Sequence, residues 1–176
     1  MPDIVIADPS LVVLIGAAGA GKSTFAARHF AATEILSSDR FRAIISGDEA
    51  DQGATRAAFG RLHREVTRRL ASRRLTVVDA TSVEPAARRA LLTRATAANL
   101  TATAIVLDLP PDLILGRNAS RRRRIVAEDV VRRHLDRLRV SVDGPIPAID
   151  QEGFVQVVIL RDAAEVDLVR IRRRPL

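Results

Sequence analysis

LVVLIGAAGAGKST occupies residues 11–24, and three kinds of local structure follow one another within it. The apolar run from Leu11 to Ile15 suits a buried strand, and Gly16 opens the spacing G-x-x-x-x-G-K-S that closes on Gly21, Lys22 and Ser23. Backbone N–H groups can wrap a triphosphate only where side chains leave room. That is the part expected of Gly16, Gly19 and Gly21, with Ala17, Ala18 and Ala20 between them. A helix beginning near Lys22 then turns its positive dipole end toward the same phosphates. Lys22 is expected to bridge the β- and γ-phosphates of ATP or another NTP, Ser23 to hold Mg²⁺ directly, and Thr24 to complete the nucleotide contacts. A Gly/Ala-rich turn that merely joins strand to helix is the bland alternative, and the strand-loop-helix context argues against it. Lys22 is the only lysine of the chain; every other strong base is arginine, so lysine stands at the one place that needs a slender point charge.

Working outward, 176 residues with 47% hydrophobic content make one domain, 1–176, with room for a sizeable core. No apolar run reaches the length of a membrane span, and Asp3 and Asp8 sit where a signal peptide would be basic, so a cytoplasmic protein without a membrane partner is expected. With no Cys there are no disulfides, thiolate metal sites or cysteine nucleophiles. His29, His63 and His134 are scattered without metal-ligand spacing, which leaves the nucleotide's Mg²⁺ as the expected metal. A net charge of +7 calls for an anionic partner beyond ATP, although part of the excess can be solvated surface. No Trp or Tyr and only five Phe leave no aromatic platform for stacked bases, so a nucleic acid would be gripped through its phosphates.

Strands are expected at 11–15, 34–37, 75–79, 104–107 and 154–160, alternating with helices at about 22–31, 40–46, 54–71, 85–98, from Pro111, and 128–140. This alternation predicts an α/β P-loop phosphotransferase core: a central parallel five-stranded sheet in the order 2-3-1-4-5, covered by helices on both faces. Residues 1–10 read as a lead-in, 47–53 as an acidic loop, 141–153 as a loop, and the last residues as a short helix with a basic tail, IRRRPL. In such a sheet ligands bind beyond the carboxyl ends of the strands. Asp39, after the second strand, lies there, and its competing role is to cap the following helix. Asp79, ending the third strand, is placed to orient Mg²⁺ through water, or to cap the loop at Thr81. Residues 117–124 hold five arginines, with Arg117, Arg121 and Arg124 spaced to share one side of a helix. The bland reading is a solvated basic face. The sharper one is a lid over about 117–126 whose guanidinium groups close on the ATP phosphates.

These residues resemble a known family, the kinase domain at the N-terminus of bacterial polynucleotide kinase-phosphatases, enzymes of RNA end-healing. The resemblance covers nearly the whole chain and rests on LVVLIGAAGAGKSTFA, SSDRFR at 37–42, LTVVDATSV at 75–83, Arg88, the arginines of the lid, and EGFVQVVIL at 152–160. It implies ATP-dependent phosphorylation of the 5′-OH ends of single-stranded RNA or DNA. In that likeness Asp39 is the general base, and Arg42 holds the acceptor strand together with Thr81 and Arg88. Arg117, Arg121 and Arg124 clamp the donor phosphates. Here Arg122 and Arg123 stand between the last two. The family continues into a phosphatase and then a ligase-like domain, which makes those domains expected partners, and a homodimer is compatible with the sequence. Two rival readings are a small-molecule kinase of the gluconate or shikimate type and a nucleotide-gated binding module without catalysis.

Overall fold

The computed structural model describes residues 3–47, 55–121 and 125–176. Its centre is a parallel five-stranded sheet. In chain order, β1 (Asp3–Asp8) precedes β2 (Leu11–Ile15), which carries the phosphate loop; β3 (Ile35–Ser37), β4 (Thr76–Asp79), β5 (Ala102–Leu107) and β6 (Gln156–Leu160) follow. The sheet runs β3-β4-β2-β5-β6, all parallel. Counted from the strand at 11–15, this is the order 2-3-1-4-5. The helices are α1 (Lys22–His29), α2 (Ser38–Ser46), α3 (Thr55–Ala71), α4 (Pro85–Ala97), α5 (Pro111–Ala119), α6 (Glu128–Val142) and α7 (Ala163–Leu168).

Every residue of β2, β4 and β5 is buried, as expected of strands covered on both faces. Alternation along β2 divides the core. Leu11, Val13 and Ile15 pack with Leu62, Val66 and Leu70 of α3 and Leu91 of α4, whereas Val12 and Leu14 pack with Phe25 of α1 and Ile114 of α5.

The two ends of the chain depart from the sequence reading. Residues 3–8 are a strand rather than a lead-in, and the basic tail is β7 (Arg170–Pro175), paired in parallel with β1 as a separate two-stranded sheet. Ile4 and Ile6 bury one side of β1 against the core of the α1 face, with Ile171 packed against it. Local pattern could not show this, because the partners lie at opposite ends of the chain.

A second long-range tie shapes the floor beyond β4. Arg88 of α4 is fully buried, and its guanidinium donates to the carbonyls of Ser82 (3.0 Å) and Val83 (2.7 Å) and to Ser141 Oγ (2.9 Å). The same group makes a forked ion pair with the Glu152 carboxylate, at 2.7 and 2.5 Å. Ser82 sits at φ 49°, a left-handed conformation that an L residue adopts only when its surroundings impose it. Arg88 imposes it by gripping the carbonyls of Ser82 and Val83.

Two stability outcomes follow. Ile6→Ala should cost about 3 kcal/mol in urea unfolding, whereas Val5→Ala, on the exposed side of the same strand, should stay within about 0.5 kcal/mol. Glu152→Ala, which strands a buried guanidinium, should also cost about 3 kcal/mol in that measurement.

Candidate active site

Strand register brings the functional residues to one edge. Ser37 of β3 lies beside Asp79 of β4, and Asp79 lies beside Leu14 of β2. The chain leaves all three strands at this edge: Gly16 follows two residues after Leu14, and Asp39 two residues after Ser37. Gly16 N–H also donates to Thr81 O at 3.1 Å, tying the phosphate loop to the turn beyond β4.

The loop needs its glycines for two distinct reasons. A Cβ on Gly19, at φ 93°, would lie 2.6 Å from Ile114 O and 3.2 Å from Asn118 Cβ, so the loop packs directly against α5. Gly21 enters α1 from the left-handed region at φ 94°, which leaves the first N–H groups of α1 facing out of the loop. Lys22 is buried and donates its ammonium to Gly16 O (2.8 Å) and Ala17 O (2.9 Å), so the charge is held inside the curve of the loop.

A cavity of about 450 Å³ opens beside the loop. Its lining brings together Ala18, Lys22 and Ser23 of the loop and α1, Asp39 and Arg42 of α2, Asp79 and Thr81 of the β4 edge, and Arg121. The capping role for Asp39 is not realised, because α2 begins at Ser38 with Ser37 in the cap position and Asp39 in the first turn. Its carboxylate accepts from the buried Arg42 guanidinium, three residues on. Phe59, His63, Val83, Val126, Val130 and His134 line the same cavity and form its ring-lined lobe.

Sequence reasoning missed this lobe. The Phe59 and His63 rings meet with centroids 6.2 Å apart and line the cavity together. Their i, i+4 spacing was the available signal. Burial, reinforced by the charge of Arg94, lowers the His63 pKa below its ordinary value.

Other expected site residues stand elsewhere. Arg88 is not among the residues lining the cavity; its buried guanidinium holds the carbonyls of Ser82 and Val83, which do line it. Thr24 is exposed on α1, outside the cavity lining. Arg117 is exposed, with a guanidinium nitrogen 3.7 Å from where a Gly21 Cβ would stand. The shared helical face of Arg117 and Arg121 does not form: α5 ends at Ala119, Ser120 caps it, and Arg121 follows in irregular backbone. The cause is Asn118, buried, whose amide donates to Val126 O (2.7 Å) and accepts from Val126 N (3.2 Å). That staple fixes both ends of the arginine segment against the phosphate loop. Arg124 lies outside the described residues, as do Arg122 and Arg123.

The donor set suits a magnesium nucleotide: inward-facing glycine backbone, a sequestered ammonium, and Ser23 and Asp79 in one cavity. No helix among the described residues is long and apolar enough to cross a membrane.

Comparison with known proteins agrees with this geometry. Among curated proteins no significant relative is found. The solved structures that resemble the chain include one titled "Structure of the Pnkp1/Rnl/Hen1 RNA repair complex", at 23% identity and TM-score 0.64, with 76% of this chain and 45% of the other covered. This chain therefore spans less than half the length of that neighbour. A gluconokinase from Sinorhizobium meliloti 1021 matches at 18% identity and TM-score 0.55, covering 92% of this chain and 89% of the other. Shikimate kinase from Acinetobacter baumannii, in complex with shikimate, matches at 22% identity and TM-score 0.56, covering 91% and 88%. These likenesses give the fold, that of P-loop kinases with a parallel five-stranded sheet. The sequence profile of a family described as an AAA domain matches residues 11–145, more than half of the chain, and the protein belongs to that family.

Proposed function

We propose that this protein is a polynucleotide kinase, transferring the γ-phosphate of ATP to the 5′-hydroxyl of single-stranded RNA or DNA. The observation that carries the proposal is that the Asp39 carboxylate, held by Arg42, lines the same cavity as Lys22, Ser23 and the ring-lined lobe. Mg²⁺-ATP supplies an electrophilic phosphorus and a leaving group that is stabilised as charge moves onto it. The chain's own residues then have three tasks. Lys22 and Ser23 hold the donor, Asp39 orients the acceptor hydroxyl and takes its proton as the new P–O bond forms, and Arg121 meets charge developing between them.

The acceptor class follows from what the lobe offers. A polyol carboxylate needs a hydrogen-bond partner for each hydroxyl and an uncommitted cation for its carboxylate. Among the described residues of the lining, Arg42 is engaged with Asp39 and Arg121 is assigned to the donor, while Phe59, Val83, Val126 and Val130 present apolar surface. That wall suits the flat face of a terminal nucleoside, and a net charge of +7 suits the phosphates behind it. A role in end-healing, with phosphatase and ligase activities acting on the same ends, agrees with the neighbour from an RNA repair complex. The second reading, a small-molecule kinase, is favoured by one observation: the gluconokinase and shikimate kinase match over nearly their full lengths.

Incubation with labelled ATP and Mg²⁺ beside a 5′-OH oligonucleotide, its 5′-phosphorylated counterpart, gluconate and shikimate separates the readings. Label on the 5′-OH strand alone is expected, and label on a sugar acid would overturn the proposal. Asp39→Asn should lower turnover by about 10²- to 10⁴-fold and leave ATP affinity unchanged by calorimetry. An equal loss of both would remove Asp39 from the role of base. Asn118→Ala, which frees the arginine segment, should lower kcat by about 10²-fold in steady-state kinetics.

A further inference from the structure

The basic tail is not absorbed by the cleft. We propose that the outward face of the β1·β7 pair is a second contact surface for the phosphodiester backbone of a single-stranded nucleic acid, at the opposite end of the sheet from Asp39. In register, Asp3, Val5 and Ala7 of β1 lie beside Arg170, Arg172 and Arg174 of β7. Alternate residues of a strand share a face, so these three arginines form one row, all exposed, and the buried Ile4 and Ile6 belong to the other face. Arg173 belongs to that inner side, where Glu34 holds it by two bonds of 2.7 and 2.8 Å.

The outward row holds three guanidinium groups and one carboxylate. Asp3 pairs with Arg172 at 2.7 Å, an exposed contact that water and salt weaken. Successive arginines are about 6.7 Å apart along the strand, close to the spacing of consecutive phosphates in an extended single strand. A groove continues the row: Arg174, Thr101 and Gln156 supply donors, and Val5 and Leu176 supply apolar edges. Guanidinium forks with hydroxyl and amide donors are the groups that recognise phosphodiester oxygens.

Position separates this surface from the catalytic cleft. Ser10 O accepts from Thr76 N, and Leu11 N donates to Thr101 O, so β1 joins the sheet where its strands begin. The five residues of β2 put about 17 Å between that edge and the phosphate loop. An acceptor of a few nucleotides cannot touch both, whereas a longer strand can.

The test is equilibrium binding of a long 5′-phosphorylated oligonucleotide across a salt series, a readout that needs no phosphoryl transfer and survives failure of the kinase proposal. Replacing Arg170, Arg172 and Arg174 together by Ala should flatten the slope of log K against log salt by about 2, since each phosphate contact on a single strand contributes about 0.7. The triple Lys variant should restore it. Arg170→Ala and Arg174→Ala, neither of which breaks an ion pair within the β1·β7 sheet, should each flatten it by about 0.7. These single variants keep the test decisive if the triple one fails to fold. With a 5′-OH acceptor, the substitutions should raise KM for a long strand and leave that for a trinucleotide unchanged. An unchanged salt slope in the Ala variants would overturn the proposal. So would arginine-dependent retention of phosphatidylserine vesicles with no effect on nucleic-acid binding, which would assign the face to a membrane.

Discussion

Parallel register across the sheet is the constraint from which the cleft follows. Ser37, Asp79, Leu14, Ile105 and Val158 form a continuous row through five strands, each about 4.8 Å from the next. Because all five strands run the same way, every loop that leaves them for a helix leaves at one edge. The phosphate loop, the α2 turn bearing Asp39 and the β4 turn bearing Thr81 are therefore neighbours, although long stretches of chain separate them. A shift of one residue in the pairing of β4 would turn Asp79 to the other face of the sheet.

On this frame the cations are distributed by what surrounds each of them. Lys22 is fixed within the loop by two carbonyls, Arg42 by the Asp39 carboxylate and Arg88 by Glu152 and two carbonyls. Each of these fixed charges orients backbone or a carboxylate at the cleft. Arg121, on the cavity lining, sits instead on a segment stapled at its root by Asn118 and braced where Gly19 meets Ile114. The phosphate loop and the Asn118–Val126 tie therefore meet on α5, so a disturbance there reaches both.

Much of this was legible from sequence because its signals are local. The apolar run before Gly16, the G-x-x-x-x-G-K-S spacing and the apolar-to-carboxylate endings of the later strands each occupy a few adjacent residues. What escaped depends on partners far apart in the chain. The ends read as lead-in and basic tail because neither strand is covered on both faces, and each gains its partner only when the termini meet. The burial of Arg88 carries no local mark, because its partner Glu152 lies 64 positions away. Spacing of four and three placed Arg117, Arg121 and Arg124 on one face only if a helix continued, and Asn118 ends it through a bond to Val126. The ring-lined lobe draws on α3 and α6 at once, so no single segment announces it.

A structure with a non-hydrolysable ATP analogue, Mg²⁺ and a 5′-OH oligonucleotide measures the central claim directly. The expected result places an Asp39 carboxylate oxygen within hydrogen-bonding distance of the 5′-oxygen, that oxygen in line with the γ-phosphorus, and the terminal base against Phe59 and Val130. A terminal hydroxyl bound away from Asp39, or a carboxylate turned from the γ-phosphorus while Lys22 and Ser23 hold the nucleotide, would contradict it.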